Sequence, residues 1–271
     1  MDEVKFETKE VSGIYPAMVG MRNPKNSWHL NDTITGMGYG DKIEVVAAEM
    51  AKKYMKQSLY EGFSALDYES MLIDNGILKE HDGIIEYCFV GPKDMKLAQT
   101  LVKGGDPHCK FMRQIQVIVD ITMPAYWWAE FDTYKVGTVR DSCSIQHKGT
   151  ARDWELSDFA IDNLIIHYGA VEDQLNASTE EVNNAQTWDI ILKQINYLGH
   201  RFNETKDYRY FRAMRQMMPM GVKYKATVSL NYAVLRSIYT WRKNHSLSEW
   251  SVDCMDWIKT LPYAKQLITI E

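Results

Sequence analysis

Residues 214–245 read MRQMMPMGVKYKATVSLNYAVLRSIYTWRKNH, and the two points at which this stretch divides set the fold. Pro219 ends one helix, because it has no backbone N–H to donate and its ring clashes with a preceding turn. Asn231 stands near the start of the next helix, and Lys225 to Ser229 between them reads as a short strand. At about 100° per residue, Asn231, Leu235, Ile238 and Arg242 fall on one stripe of the second helix, while Arg236 and Lys243 point the opposite way. Arg242 therefore shares a face with residues expected to be buried. A buried guanidinium needs a fixed anion. Two readings are open: the anion is a carboxylate of this chain, or it is part of a ligand. A cation in a last helical turn also serves the dipole and the end carbonyls, which favours the first.

Working outward, 271 residues are enough for one large domain or two small ones with a proper core. Hydrophobic residues make up 45% and charged residues 25%, as in ordinary globular proteins. A formal charge of −5 opposes non-specific binding to nucleic acid without excluding a local basic pocket. The start, MDEVKFETKE, is acidic and unlike a signal peptide, and no apolar run is long enough for a membrane helix. Cys88, Cys109, Cys143 and Cys254 are scattered without metal-ligand spacing, so no metal is expected and a reducing, cytoplasmic setting is. No repeat, low-complexity segment or linker interrupts the chain, which reads as a single domain over 1–271.

Upstream, Phe6 to Tyr15 holds a short strand, and the glycine-rich TGMGYGDK fits neither phosphate-binding pattern and reads as a flexible loop. Asp41 to Tyr60 is an amphipathic helix with Ile43, Ala47, Met50 and Tyr54 on one side. Ile84 to Val90 is a strand, and Asp94 caps a short helix ending at Gly104-Gly105. Gln114 to Ile121 alternates, with Ile115, Val117, Val119 and Ile121 on one face. Pro124 can open a helix through Ala125 to Tyr134, and Gly137 then starts a polar loop, GTVRDSCSIQHKG. Residues 149–212 read as mostly helical, with spacing from Ile161 to Leu175 and a capping box of Ser178 and Glu181. Asp207 to Met218 forms a further helix, and Leu247 to Leu261 another with Trp250, Cys254, Trp257 and Leu261 inside. The fold class is α/β, a small antiparallel sheet flanked by helices.

These spacings resemble the flavin-dependent thymidylate synthase family over residues 94–255, with 1–93 a diverged N-terminal part. The family's alanine-arginine-x-x-leucine-proline element is matched by Met214-Arg215-Gln216-Met217-Met218-Pro219. Asn231 and Arg242 then keep the family's positions in the long helix. His108 stands at the family's loop histidine, followed by the alternating strand. The signature R-H-R-x-x-S-x-N-E-x-S-x-R falls without a gap on Thr133 to Ile145. There Lys135, Thr138, Asp141 and Cys143 keep a rough chemical class, whereas Thr133, Tyr134, Arg140 and Ile145 do not. Ala233 replaces a flavin-contacting arginine, and Glu130 stands where the family often has a glutamine at the nucleotide.

The resemblance implies an enzyme in which reduced FAD relays a one-carbon unit from methylenetetrahydrofolate to a deoxyuridine nucleotide, with NADPH as reductant, in a homotetramer. No enzyme nucleophile attacks the ring in such chemistry, so the protein polarises the uracil and positions the flavin. By resemblance Arg215 holds the nucleotide phosphate and Arg242 contacts the uracil as the catalytic cation. Asp141, Cys143 and Glu130 join the substrate, while His108, Tyr134, Lys135 and Asn231 face the cofactor. For several of these the residues alone leave a plainer reading. Cys143 is a buried cysteine or a nucleophile paired with His147, Tyr134 a core or stacking tyrosine, and Asn231 bonds a neighbouring turn or the flavin. The alternative function is a diverged nucleotide- or flavin-binding protein that has lost the chemistry.

Overall fold

The computed structural model describes residues 4–55, 77–81, 84–144, 149–161 and 179–270. The end of the helix expected over Asp41 to Tyr60 (56–60), the expected helix beyond Ile161 as far as Leu175, Ser178 of the capping box, and Ile145, His147 and Lys148 lie outside those residues. The chain falls into two compact units. The first comprises Phe6–Asp120, Tyr134–Arg140 and Val228–Glu271; the second comprises Met1–Lys5, Ile121–Thr133 and Asp141–Thr227.

The first unit opens with β1 (Lys5–Ser12), α1 (Ile14–Gly20), β2 (Ile34–Gly38) and α2 (Gly40–Met55). It continues with β3 (Ile77–His81), β4 (Ile84–Phe89) and α3 (Pro92–Lys103). Strands β2, β4 and β3 make a small antiparallel sheet in that order, with Ile34 opposite Phe89 and Ile77 opposite Cys88. The apolar stripe of α2, carried by Ile43, Ala47 and Met50, packs on Tyr87 and Phe89 of β4. The glycine-rich stretch expected to be a flexible loop is instead a strand running into a helix. Gly36 is small for a reason: a Cβ there would lie 2.7 Å from the Tyr87 hydroxyl.

Asp94 does not cap α3. Gly91 is the N-cap and Pro92 follows it, while Asp32 accepts from the N–H groups of Lys93 and Asp94, each at 3.0 Å. Asp94 turns inward instead, fully buried, and pairs with Arg22 through Nε at 2.7 Å. Its second oxygen accepts from Asn31 and from the Thr33 backbone at 2.8 and 3.0 Å. Such a pair is tolerated only when every lone pair is satisfied.

A second sheet runs in the order β1-β5-β7-β6, with β5 at Gln116–Pro124, β6 at Val139–Ser142 and β7 at Lys223–Asn231. Ile115, Val117, Val119 and Ile121 are all buried, as their alternation requires. Residues 139–142, expected within a polar loop, are an edge strand, and pairing rather than intrinsic preference makes them so.

In the second unit α4 (Ala125–Phe131) follows β5, and α5 (Thr179–Thr205) and α6 (Tyr208–Met217) follow later in the chain. Trp127, Trp128 and Phe131 are buried against one another, and the Trp128 indole donates to Met123 O at 3.1 Å, so they pack. A further core joins Trp154, Phe159, Ile195, Leu198, Met214 and Val222. Residues 149–161 hold one short turn at Leu156–Asp158 and a single antiparallel bridge from Phe159 to Val222, against the helical expectation. Side chains displace the helix there: Arg152 and the Glu155 N–H bind Asp158, and Asn196 holds the Trp154 backbone at both N–H and carbonyl.

The last part of the first unit holds α7 (Tyr232–Arg242), a π-helical turn at Glu249–Cys254, α8 (Met255–Lys259) and α9 (Ala264–Leu267). Trp250, Cys254, Trp257 and Leu261 are buried as their spacing predicts, although the expected single helix is divided. Among the described residues no helix is long and apolar enough to cross a membrane.

Candidate functional site

Helix α7 is fixed along its length before it presents anything. The Tyr232 N–H donates to Ile115 O at 3.1 Å, and its hydroxyl to Pro262 O at 2.5 Å. Burial pushes that phenol well above its ordinary range, so it stays a donor. One turn on, Arg236 donates from Nη1 to Ile268 O and Ile270 O at 2.9 and 2.8 Å. Leu235 and Ile238 face the core, at 0% and 1% exposure.

Arg242 ends this stripe half-buried rather than enclosed. Its Nε donates to the Tyr134 hydroxyl at 3.0 Å, and its guanidinium carbon lies 4.9 Å from the Trp250 ring centre and 5.7 Å from that of Tyr134. The two rings are 6.3 Å apart. Aromatic faces attract a guanidinium and hold its plane, and partial desolvation strengthens the attraction. The result is a cation of fixed orientation on an aromatic floor.

Asn231 sits at the other end of α7 as its N-cap, 5% exposed. Its Oδ1 accepts from the N–H groups of Ala233 and Val234, both at 3.1 Å, and its Nδ2 donates to Gly137 O at 3.4 Å. Gly137 has φ of 82°, and a Cβ there would come within 2.6 Å of that same Nδ2. Both polar atoms of the Asn231 amide thus have partners within the first unit. The two ends of α7 grip one short segment, Tyr134 at Arg242 and Gly137 at Asn231. Next in that segment, Thr138 Oγ1 is buried with no hydrogen-bond partner among the described residues.

The other expected site residues are placed as follows. In the first unit Lys135 is exposed, and His108 is exposed in the helical segment Asp106–Gln114 with its ring against Gly104. In the second unit Arg215 is exposed in the last turn of α6, Glu130 is half-buried in α4, and Asp141 lies exposed on β6. Cys143 is exposed, not buried, just after β6, and its N–H donates to Lys225 O at 2.9 Å. Two residues escaped the sequence reading. Trp250 was legible only as an inward-facing aromatic of the last helix, and Thr138 only as a stand-in for serine. Among the described residues no cluster of three or more His, Cys, Asp or Glu could hold a metal ion.

No protein-family model matches the sequence, and no curated protein matches it. Solved structures do. The flavin-dependent thymidylate synthase ThyX from Helicobacter pylori, complexed with FAD and dUMP, aligns over 98% of each chain with a TM-score of 0.55 at 14% identity. A second structure of ThyX from Helicobacter pylori, also with FAD and dUMP, aligns over 98% of this chain and 97% of that one, with a TM-score of 0.54 at 13% identity. The fold is of the flavin-dependent thymidylate synthase type. With 98% of the chain covered, the shared fold takes in residues before 94, where the motif resemblance fades.

Proposed function

We propose that this chain is an enzyme that modifies C5 of a deoxyuridine nucleotide, using FAD, a folate one-carbon donor and NADPH. What supports the reading most is the 3.0 Å bond between Tyr134 and Arg242, 108 residues apart in sequence. These are the two positions that the family resemblance assigns to the flavin and to the uracil. The residues around them suit a flat, polar cofactor: a tyrosine ring, an exposed ammonium at Lys135, and the unmatched hydroxyl of Thr138.

FAD, when bound and reduced, supplies the electrons and carries the one-carbon unit. The chain's own part is binding and polarisation. Arg215 takes the phosphate, where two or more N–H donors match its oxygens. Arg242, held flat on Trp250 and pinned at Nε by Tyr134, draws charge toward the carbonyls of the uracil as C5 becomes nucleophilic. Asn231 and Gly137 fix the backbone that carries Tyr134 and Thr138. Glu130, Asp141 and Cys143 line the nucleotide, and His108 the flavin, and the working form is a homotetramer.

The test begins with colour: the purified protein should carry a flavin absorption band or gain thermal stability from added FAD. With dUMP, methylenetetrahydrofolate, FAD and NADPH it should form a nucleotide one methyl group heavier. Arg242→Ala should lower that rate by about a hundredfold or more, in line with the loss of one donor that stabilises developing charge. Binding of dUMP without any response to FAD would leave only the nucleotide-binding alternative. Unchanged rate in Arg242→Ala would remove Arg242 from the chemistry.

A further inference from the structure

Residues 243–249 lead directly from Arg242 to Trp250, the ring beneath its guanidinium. His245 holds that passage at both ends. Its backbone N–H donates to Arg242 O at 3.0 Å, which fixes the end of α7. Its ring Nδ1 accepts from the Leu247 N–H at 3.2 Å. Leu247 in turn opens the π-helical turn, because its carbonyl receives the Trp250 and Ser251 N–H groups, both at 3.1 Å, and the Ser251 hydroxyl at 3.2 Å. The imidazole then lies edge-on to the indole, with ring centres 6.4 Å apart. Single π-helical turns are rare and concentrate at functional sites. An amide N–H can only donate, so Nδ1 of His245 carries a lone pair and the ring's proton sits on Nε2. The bond reaches two residues along the chain, as in the turns that Asn and Asp side chains make.

We propose that His245 is a positioning residue for Arg242: by accepting from Leu247 it fixes the turn that seats Trp250 beneath the guanidinium. The proposal rests on the role given to Arg242 above. A ring orients a guanidinium only as well as the ring is itself held. Trp250 is held through its own N–H at Leu247 O, and Leu247 is held through its N–H at the imidazole. Remove that acceptor and the half-buried Leu247 N–H has lost this bond, so the turn relaxes and the indole shifts under Arg242. A donor that polarises a carbonyl works only in the right place, and a displacement of about 1 Å is enough to lower a rate by up to about a hundredfold.

Nitrogen NMR of the wild-type protein with labelled histidine, at about pH 8 where imidazoles are ordinarily neutral, should show the His245 proton on Nε2 and none on Nδ1. The signal lost in His245→Asn or His245→Gln identifies the residue. In turnover of dUMP with methylenetetrahydrofolate, FAD and NADPH, His245→Gln sets its polar atoms one bond too far from Leu247. It should lower kcat about tenfold or more and leave KM for dUMP nearly unchanged. His245→Asn puts a carbonyl oxygen close to the place of Nδ1 and should keep most of the wild-type rate. In an Arg242→Ala background neither substitution should lower the rate further, because the group they position is gone. A proton on Nδ1 in the wild type would overturn the inference even where a variant fails to fold. Equal losses in His245→Asn and His245→Gln, or a loss that persists in the Arg242→Ala background, would also overturn it and leave the proposed function intact. A wild type without turnover would instead overturn the proposed function, and this inference with it.

Discussion

A single amide side chain joins the start of α7 to a segment 94 residues earlier, because Asn231 both caps its own helix and donates to Gly137. The two roles separate by substitution. Asn231→Ala should lower unfolding stability in denaturant by about 1 kcal/mol or more through loss of the cap alone. Asn231→Asp keeps the acceptor for Ala233 and Val234 but offers Gly137 no donor, so it should fall between wild type and alanine. If both variants melt as wild type does, the cap carries no weight. The helix start was legible from sequence, since asparagine before an apolar run is a strong cap signal. Its partner was not, because periodicity compares residues within one helix and is blind to what crosses it. The same limit applies to Arg242: the stripe through Leu235 and Ile238 was readable, but the Tyr134 hydroxyl and Trp250 ring were not.

Local pattern is most reliable for an element that packs against its immediate surroundings: Ile43, Ala47 and Met50 of α2 and the alternating residues of β5 are buried as their periods require. It fails where a distant side chain decides the local structure. Asp32 caps α3 across 61 and 62 residues, which displaces Asp94 from the role that its place in the sequence suggests. In the turn around Leu156–Asp158, a carboxylate and a guanidinium replace the expected helix. Burial works to raise the Asp158 carboxyl, but the Arg152 hydrogen bond and the Glu155 N–H outweigh it, and its pKa lies below the ordinary 3.8. An unfolded chain titrates this group near its ordinary value. Its contribution to stability is therefore complete above that pH and drains away as pH falls through the lowered folded value. Denaturation midpoints followed from about pH 6 down to pH 2 should fall less steeply in Asp158→Asn than in wild type. Identical slopes would mean that Arg152 does not discriminate between the two protonation states.

At the scale of the whole chain, the four cysteines report on folding. Cys88, Cys109 and Cys254 are buried and Cys143 is exposed. Burial raises the Cys88 thiol to about 12 and moves Cys254 in the same direction. Since the thiolate is the reactive form, a neutral-pH thiol reagent should label Cys143 rapidly and the other three only on unfolding. Fast labelling of two or more sites in native protein would contradict that arrangement. The alternation from Ile115 to Ile121 made the main strand legible at this scale too, whereas the edge strand Val139–Ser142 has so little intrinsic β character that only its neighbour reveals it.

The hydroxyl of Tyr263 receives the Val90 N–H at 3.0 Å and donates to Cys88 O at 3.2 Å, and the first of these links spans 173 residues. A ribosome adding residues one by one has therefore long since released Cys88 and Val90 when their tether is made. The first unit acquires its fastening only once translation has passed Tyr263, and Arg236 closes its clasp only at Ile270. Any nascent chain halted earlier leaves the end of β4 open, which gives chaperones and proteases their longest opportunity over this part of the protein.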